Sequence, residues 1–293
     1  MRFVLTDEQR DFAAALEKLL AASDTVTVAR AWAEGDTGPG LELWQRLAEQ
    51  GLTMLATEAT PVEVVVAFEA LGRHAVPGPW VESAAHLPVL LGRELDGIGT
   101  IGTPLALDAD LADEVYLLDG DSVRSATVDG PSERASVDPT RRLFTLTAGD
   151  PVTSERVACA WDTAVLAASA QLLGLGERLL AESVAYVKQR RQFGREIGSY
   201  QAIKHALADV RIALDFARPM VHGAALEAVP ASAAKVMAGD AAYLASRTAL
   251  QVHGAIGYTA ELDLSLWITK IRALVAAWGT PSVHRERLLT EVL

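Results

Sequence analysis

From Val157 to Leu293 the chain keeps a helical apolar period almost without interruption, and this run constrains the fold more than any other feature. The breaks fall at Gly194, Pro230, Gly257 and Gly279. They divide the run into helices expected near 160–189, 200–226, 231–254, 262–276 and 280–291. Four or five long helices with short connections pack as an antiparallel bundle. Residues 5–73 read as helical too. Thr6 and Glu8 open that region with capping chemistry, and Phe12, Ala15, Leu16, Leu19 and Leu20 follow at helical spacing. Pro61 opens a later helix, Gly51 ends an earlier one, and a short apolar helix is expected over Ala84–Leu91.

Between these helical regions the pattern changes. Val115–Asp119, Ser122–Val128 and Arg142–Thr147 are short β-rich runs separated by Asp, Gly and Pro turns, so a small β-domain of four to six strands is expected. The reading is an α+β chain, mostly α. It has an N-terminal helical domain over 1–95, an abridged β-domain over 96–156 and a helical bundle over 157–293.

Composition excludes several classes. A net charge of -12 leaves no basic surface for nucleic acid. No uncharged apolar run reaches the length of a membrane span, so no membrane partner is expected. The single cysteine, Cys159, excludes an internal disulfide and fits the reducing cytoplasm; it reads as a small buried residue. The six histidines are dispersed without ligand spacing, so no metal is expected, and there is no G-x-S-x-G elbow for a serine hydrolase. GIGTIG at Gly97–Gly102 matches a dinucleotide fingerprint in letters only. It follows a helical stretch and leads into Thr103–Pro104, whereas the fingerprint needs a strand before it and a helix after it.

Two segments carry more specific chemistry. RRQFGREIGSYQAIKHALAD, from Arg190 to Asp209, is a basic, amide-bearing turn between two long helices. QVHGAIGYTAELDLSLW, from Gln251, ends a helix at glycines where backbone can approach a ligand closely. His253 lies at that helix end, where it either meets a ligand or complements the dipole.

These two segments, with L-T-D-E-Q-R from Leu5, L-W-x-x-L-A-E-Q-G-L from Leu43 and F-E-A-L-G-R from Phe68, resemble the acyl-CoA dehydrogenase flavoproteins. The resemblance is closest from Ala160 to the C-terminus. It implies that Arg190, Gln192, Phe193, Ile197, Gln201, Gln251 and Gly254 contact the diphosphate and adenosine of an FAD centred on a neighbouring subunit.

The chain departs from the family at three places. Nothing between Gly97 and Thr153 matches the T-E-P-x-x-G-S-D and W-I-T motifs that hold the flavin ring. Ala277-Trp278-Gly279-Thr280 replaces the Y-E-G-T segment, so Trp278 stands where the catalytic glutamate is expected. The alternative glutamate position, at Ala164-Val165-Leu166, is apolar. An indole is a donor only and cannot take the α-proton. Neither Glu261, expected to cap a helix, nor Glu286, expected on a solvated face, replaces that base. No catalytic residue is therefore assigned.

The resemblance is to the short, non-catalytic subunit of actinobacterial α2β2 acyl-CoA dehydrogenases acting on steroid-type acyl-CoAs. It implies FAD shared with a full-length catalytic partner that binds most of the acyl-CoA. Two alternatives remain: a self-sufficient homomeric dehydrogenase with an unrecognised base, and a helical interaction protein that binds no flavin.

Overall fold

The computed structural model describes residues 4–152, 155–259 and 262–292, with backbone only at 130–132 and 291–292. The N-terminal region is helical: α1 (Asp7–Ala21), α2 (Thr25–Ala33), α3 (Gly38–Glu49), α4 (Leu55–Glu58), α5 (Pro61–Arg73) and, after a turn, α6 (Leu87–Leu91). Thr6 caps α1 through a reciprocal box, but its partner is Gln9 rather than Glu8, because the box needs an amide or carboxylate at the third helical position. Most of α5 is buried, which explains why its sequence is apolar on all sides rather than amphipathic. The expected helix over Ala84–Leu91 is in fact a π-helical turn, Val81–His86, running into α6. Ser83 fixes this turn to the sheet: its hydroxyl donates to the Gly99 carbonyl at 2.5 Å and accepts from the Gly99 N–H at 3.0 Å.

Five strands follow: β1 (Gly99–Gly102), β2 (Leu105–Leu107), β3 (Glu114–Asp119), β4 (Ser122–Arg134) and β5 (Leu143–Val152). Their order is β1-β3-β4-β5-β2, with β1 parallel to β3 and the other pairs antiparallel. Only two residues separate β1 from β2 at opposite ends of this order, so the sheet must curl until its edges meet. The GIGTIG stretch is the entry to β1, with no helix after it.

The bundle comprises α7 (Val157–Gln189), α8 (Gln201–Ala225), α9 (Ala231–His253), α10 (Leu264–Ala276) and α11 (Pro281–Val292). By length and hydropathy α7 resembles a membrane span, yet most of it is buried inside the protein, so its apolar faces serve the core. It crosses α5 at backbone contact. A Cβ on Gly174 would lie 1.9 Å from the Glu69 carbonyl oxygen, and one on Gly72 would lie 2.1 Å from the Gln171 carbonyl oxygen. Leu16, Leu47, Phe68 and Leu71 share one contiguous core with Leu172, Leu179, Leu214 and Ile271.

An ion-pair network joins the same helices at the surface of that core. Glu69 accepts from Arg73 and Arg218, Glu177 from Arg211 and Arg218, and Glu17 from Arg73 at 3.0 Å. Burial pushes the Glu177 carboxyl up, but hydrogen bonds and charge from the two arginines outweigh it and leave it below the ordinary value.

Candidate functional site

One end of the bundle gathers the residues expected to meet a cofactor. Helix α7 stops at Arg190, whose backbone turns extended, with φ -71° and ψ 122°. Arg191–Gln192 and Arg195–Glu196 then pair as a two-residue β-hairpin. Phe193 at φ 53° and Gly194 at φ 81° form its turn, both left-handed as a tight hairpin requires. The Ile197 N–H donates to the Arg190 carbonyl at 2.8 Å, closing the loop. Phe193 is 89 % exposed, a large apolar ring with almost no cover from its own chain. Beside it Tyr200 meets Phe193 edge-on at 6.4 Å, and the Arg195 guanidinium lies 4.0 Å over the Tyr200 ring. Arg190, Gln192 and Gln201 are exposed, and Ile197 is half-buried.

Helix α9 ends at the same pole. Tyr186 of α7 stacks on His253 at 4.2 Å, which ties the two helix ends together. Gly254, at φ 63°, turns the chain out of α9 in a conformation that favours glycine. A groove of about 570 Å³ runs between the start of α8 and the end of α9, lined by Ala202, Ile203, Arg247, Gln251 and Tyr258. Of the expected cofactor residues only Gln251 lines it; the hairpin residues stand apart from the groove. His253 is buried and donates from Nδ1 to the Ala249 carbonyl at 2.8 Å, so it braces the helix end instead of facing a ligand.

The position expected to hold a catalytic base lies elsewhere, where the bundle meets the sheet. Trp278 occupies a left-handed backbone at φ 58°, followed by Gly279 at φ 97°. A Cβ at Gly279 would come within 2.6 Å of His284 Nε2, so this loop position requires glycine. The three N–H groups of the buried Lys235 ammonium are shared among four carbonyl oxygens: Leu274 at 3.0 Å, Val275 at 3.2 Å, Ala277 at 2.9 Å and Gly279 at 3.3 Å. His284 Nε2 contacts the Trp278 carbonyl at 2.9 Å, and its Nδ1 contacts the Ser232 hydroxyl at 3.0 Å. Burial holds His284 below its ordinary pKa, against the pull of the Trp278 carbonyl. The ring is therefore neutral, donating from Nε2 and accepting the Ser232 proton at Nδ1. The indole is thus fixed from two sides, edge-on to Trp161 at 5.5 Å and tilted on His86 at 4.9 Å.

A cavity of about 280 Å³ remains in front of Trp278, lined by Glu82, Ile101, Thr103, Leu118, Arg141 and Trp161 among others. Ligand pockets usually span about 300–1,000 Å³, so this space is small for a three-ring flavin with an acyl chain beside it. The residues of this chain fit the adenosine end of an FAD at the hairpin pole. They do not fit its ring at Trp278.

Sequence reasoning missed Lys235, Glu82 and His86. Lys235 lies in an alanine-rich helix and its partners are 39 to 44 residues away, so no local pattern marks it. The one available signal was polar residues inside otherwise apolar helical stretches. Cys159 is exposed rather than buried, because the first turn of α7 faces outward before the helix enters the core. Glu286 is exposed, and Glu261 lies outside the described residues. Ala164, Val165 and Leu166 are buried and apolar, leaving no base there. Among the described residues no group of three His, Cys, Asp or Glu side chains is placed to hold a metal.

Comparison with known proteins bears on the fold and the family. Residues 162–293 match the model of the acyl-CoA dehydrogenase C-terminal domain. The acyl-CoA dehydrogenase IpdE2 of Mycolicibacterium smegmatis is 31 % identical over 97 % of both chains. Among solved structures, the ChsE4-ChsE5 complex from Mycobacterium tuberculosis superposes with a TM-score of 0.81, at 20 % identity over 100 % of this chain and 99 % of the other. A steroid acyl-CoA dehydrogenase, Tcur3481-Tcur3483, gives 0.78 at 17 % identity over 98 % of each chain. The shared fold and the full-length identity together make this chain a member of the acyl-CoA dehydrogenase family.

Proposed function

We propose that this chain is the non-catalytic subunit of a heteromeric acyl-CoA dehydrogenase. Its hairpin pole completes the adenosine end of an FAD held mainly by a catalytic partner, and that partner supplies the base. The observation that carries this reading is Trp278, locked by Lys235 and His284 where the family places its glutamate. The loop itself carries no carboxylate; Glu82, which lines the cavity in front of it, comes from the π-helical turn. The exposed Arg190, Gln192, Phe193, Gln201 and Gln251 supply what a flavin dinucleotide needs at its other end: charge for the diphosphate, amides, and an aromatic face.

A subunit without its own acyl site leaves the partner's pocket free to widen, which suits a bulky, steroid-like acyl-CoA. Two of the related structures are named as pairs of gene products, and one of these is called a steroid enzyme. The single thiol, Cys159, is compatible with work in the cytoplasm. The three-part division at about residues 95 and 156 is part of the same proposal.

Co-expression with the catalytic subunit tests the reading through Arg190→Ala. The variant complex is expected to lose FAD at least tenfold more readily in a dilution assay, as suits removal of a charge-assisted phosphate contact. Unchanged flavin retention would mean that the hairpin does not reach the cofactor.

A further inference from the structure

The cavity in front of Trp278 is too small for the family's chemistry, yet its walls are not those of an inert void. A dry cavity of about 150 Å³ accommodates a benzene ring when its lining is apolar. The 280 Å³ here has room for one ring and one polar group. Its lining is polar where a filler would be apolar. Glu82 is 4 % exposed, and beyond its own backbone N–H and the charge of Arg141 nothing described stabilises its carboxylate. Burial accordingly raises its pKa against both of those influences.

Arg141, half-buried, lines the same cavity and makes no ion pair among the described residues. Its charge is felt by Glu82, by Asp108 and by Lys235. Behind Trp278, His86 is fully buried with neither ring nitrogen hydrogen-bonded, and burial lowers its pKa to about 4. Glu82 and His86 are four residues apart on the π-helical turn, a distortion that recurs at functional sites.

We propose that this cavity is a binding site for a small planar carboxylate, held by Arg141 and Glu82 with its ring against Trp161 and Trp278. Charge decides the class. Burial disfavours the Glu82 carboxylate, and no described carboxylate lies within ion-pair distance of Arg141, so a bound anion would provide the partner that the guanidinium lacks. A protonated Glu82 can donate to the second carboxylate oxygen. A cation would meet the guanidinium unfavourably, and a neutral amide would leave its charge unpaired. The two indoles supply apolar and edge contacts for a single ring. This site does not depend on the shared-flavin reading, because it uses none of the hairpin residues.

The test uses the full-length chain, alone or in its complex, with 4-fluorobenzoate and 4-fluorobenzamide as probes observed by ¹⁹F NMR. Saturable binding of the benzoate is expected, with the isosteric benzamide at least tenfold weaker. Arg141→Gln should weaken the benzoate at least tenfold, and Arg141→Lys should retain it to within a few fold. Glu82 also sets a pH signature. The one charged group that acts on it is Arg141, from the segment before β5, while the other residues lining the cavity, Ile101, Thr103, Leu118 and Trp161 among them, are uncharged. Affinity should fall as pH rises and Glu82 loses its proton, and Glu82→Gln should abolish that fall. If Arg141→Gln does not fold, the pH profile of Glu82→Gln decides. Absence of saturable binding, equal binding of the benzamide, or a pH profile unchanged in Glu82→Gln would overturn the proposal.

Discussion

Replacing Lys235 with Met keeps most of the side-chain volume and removes the group that holds the Trp278 loop. Four carbonyl oxygens within 3.3 Å lose their donor. A buried acceptor left without a partner costs about 1–3 kcal/mol. Taking the low end for each gives roughly 4 kcal/mol. Two effects offset part of that loss. Burial and the nearby Arg141 lower the Lys235 pKa to about 7, so the native ammonium is itself held at a cost that Met does not carry. Trp278 at φ 58° also loses its restraint, and relaxing toward ordinary backbone recovers part of its strain. A net loss of about 2–3 kcal/mol follows, which for a chain of this length lowers Tm by roughly 4–9 °C. Differential scanning calorimetry reads the shift, and near-UV circular dichroism reads the loss of a fixed indole. A Tm within 2 °C of the native chain, with the aromatic signal intact, would show that Lys235 does not hold the loop.

Three other predictions concern the fold. Asp108 is fully buried at φ 48° and accepts from Trp32 Nε1 at 3.2 Å; burial, opposed by Trp32 and nearby cations, raises its pKa to about 7. The folded chain therefore holds a proton that the unfolded chain releases above about 4, so this group's contribution to stability falls as pH rises from about 4 to 7. Asp108→Asn should match the native chain near pH 4 and exceed it by up to about 4 kcal/mol at pH 8 in urea titrations; a difference independent of pH would refute the assignment. The opposite sign applies to Glu177, whose lowered pKa means that its contribution is present above the ordinary carboxylate range and is lost as pH falls below it. Acid unfolding of Glu177→Gln should accordingly be less steep than that of the native chain. Gly174→Ala places a methyl 1.9 Å from the Glu69 carbonyl and should cost about 3 kcal/mol or more, measured by chemical denaturation.

Much of this architecture is legible in the sequence because long helices obey a local rule. The helices expected near 200–226 and 231–254 are Gln201–Ala225 and Ala231–His253, with α8 ending shortly before the break at Pro230 and α9 stopping at Gly254 rather than Gly257. Strands were legible in position but short in extent: Ser122–Val128 grows to Ser122–Arg134, and Arg142–Thr147 becomes Leu143–Val152. Their outer halves contain Asp, Gly and Pro, and they are extended because each pairs with the inner half of the other strand, Glu133 with Phe144 and Pro151 with Arg124, across two register shifts. The turn at Phe193-Gly194 could be read because its chemistry is local, although its short strand pairing was not expected. The Lys235 clamp and the Glu82 cavity could not, since each is assembled from segments that only tertiary packing brings together. Departures from a family pattern revealed where Trp278 stands. The structure adds what holds it there.

The shared-flavin account rests on one ratio. The chain co-purified with its catalytic partner should give a yellow complex with one FAD for every two chains, one of each kind, and the chain purified alone should be colourless. A yellow preparation of this chain alone, with FAD near one per chain, would contradict the account and place a complete flavin site within this subunit.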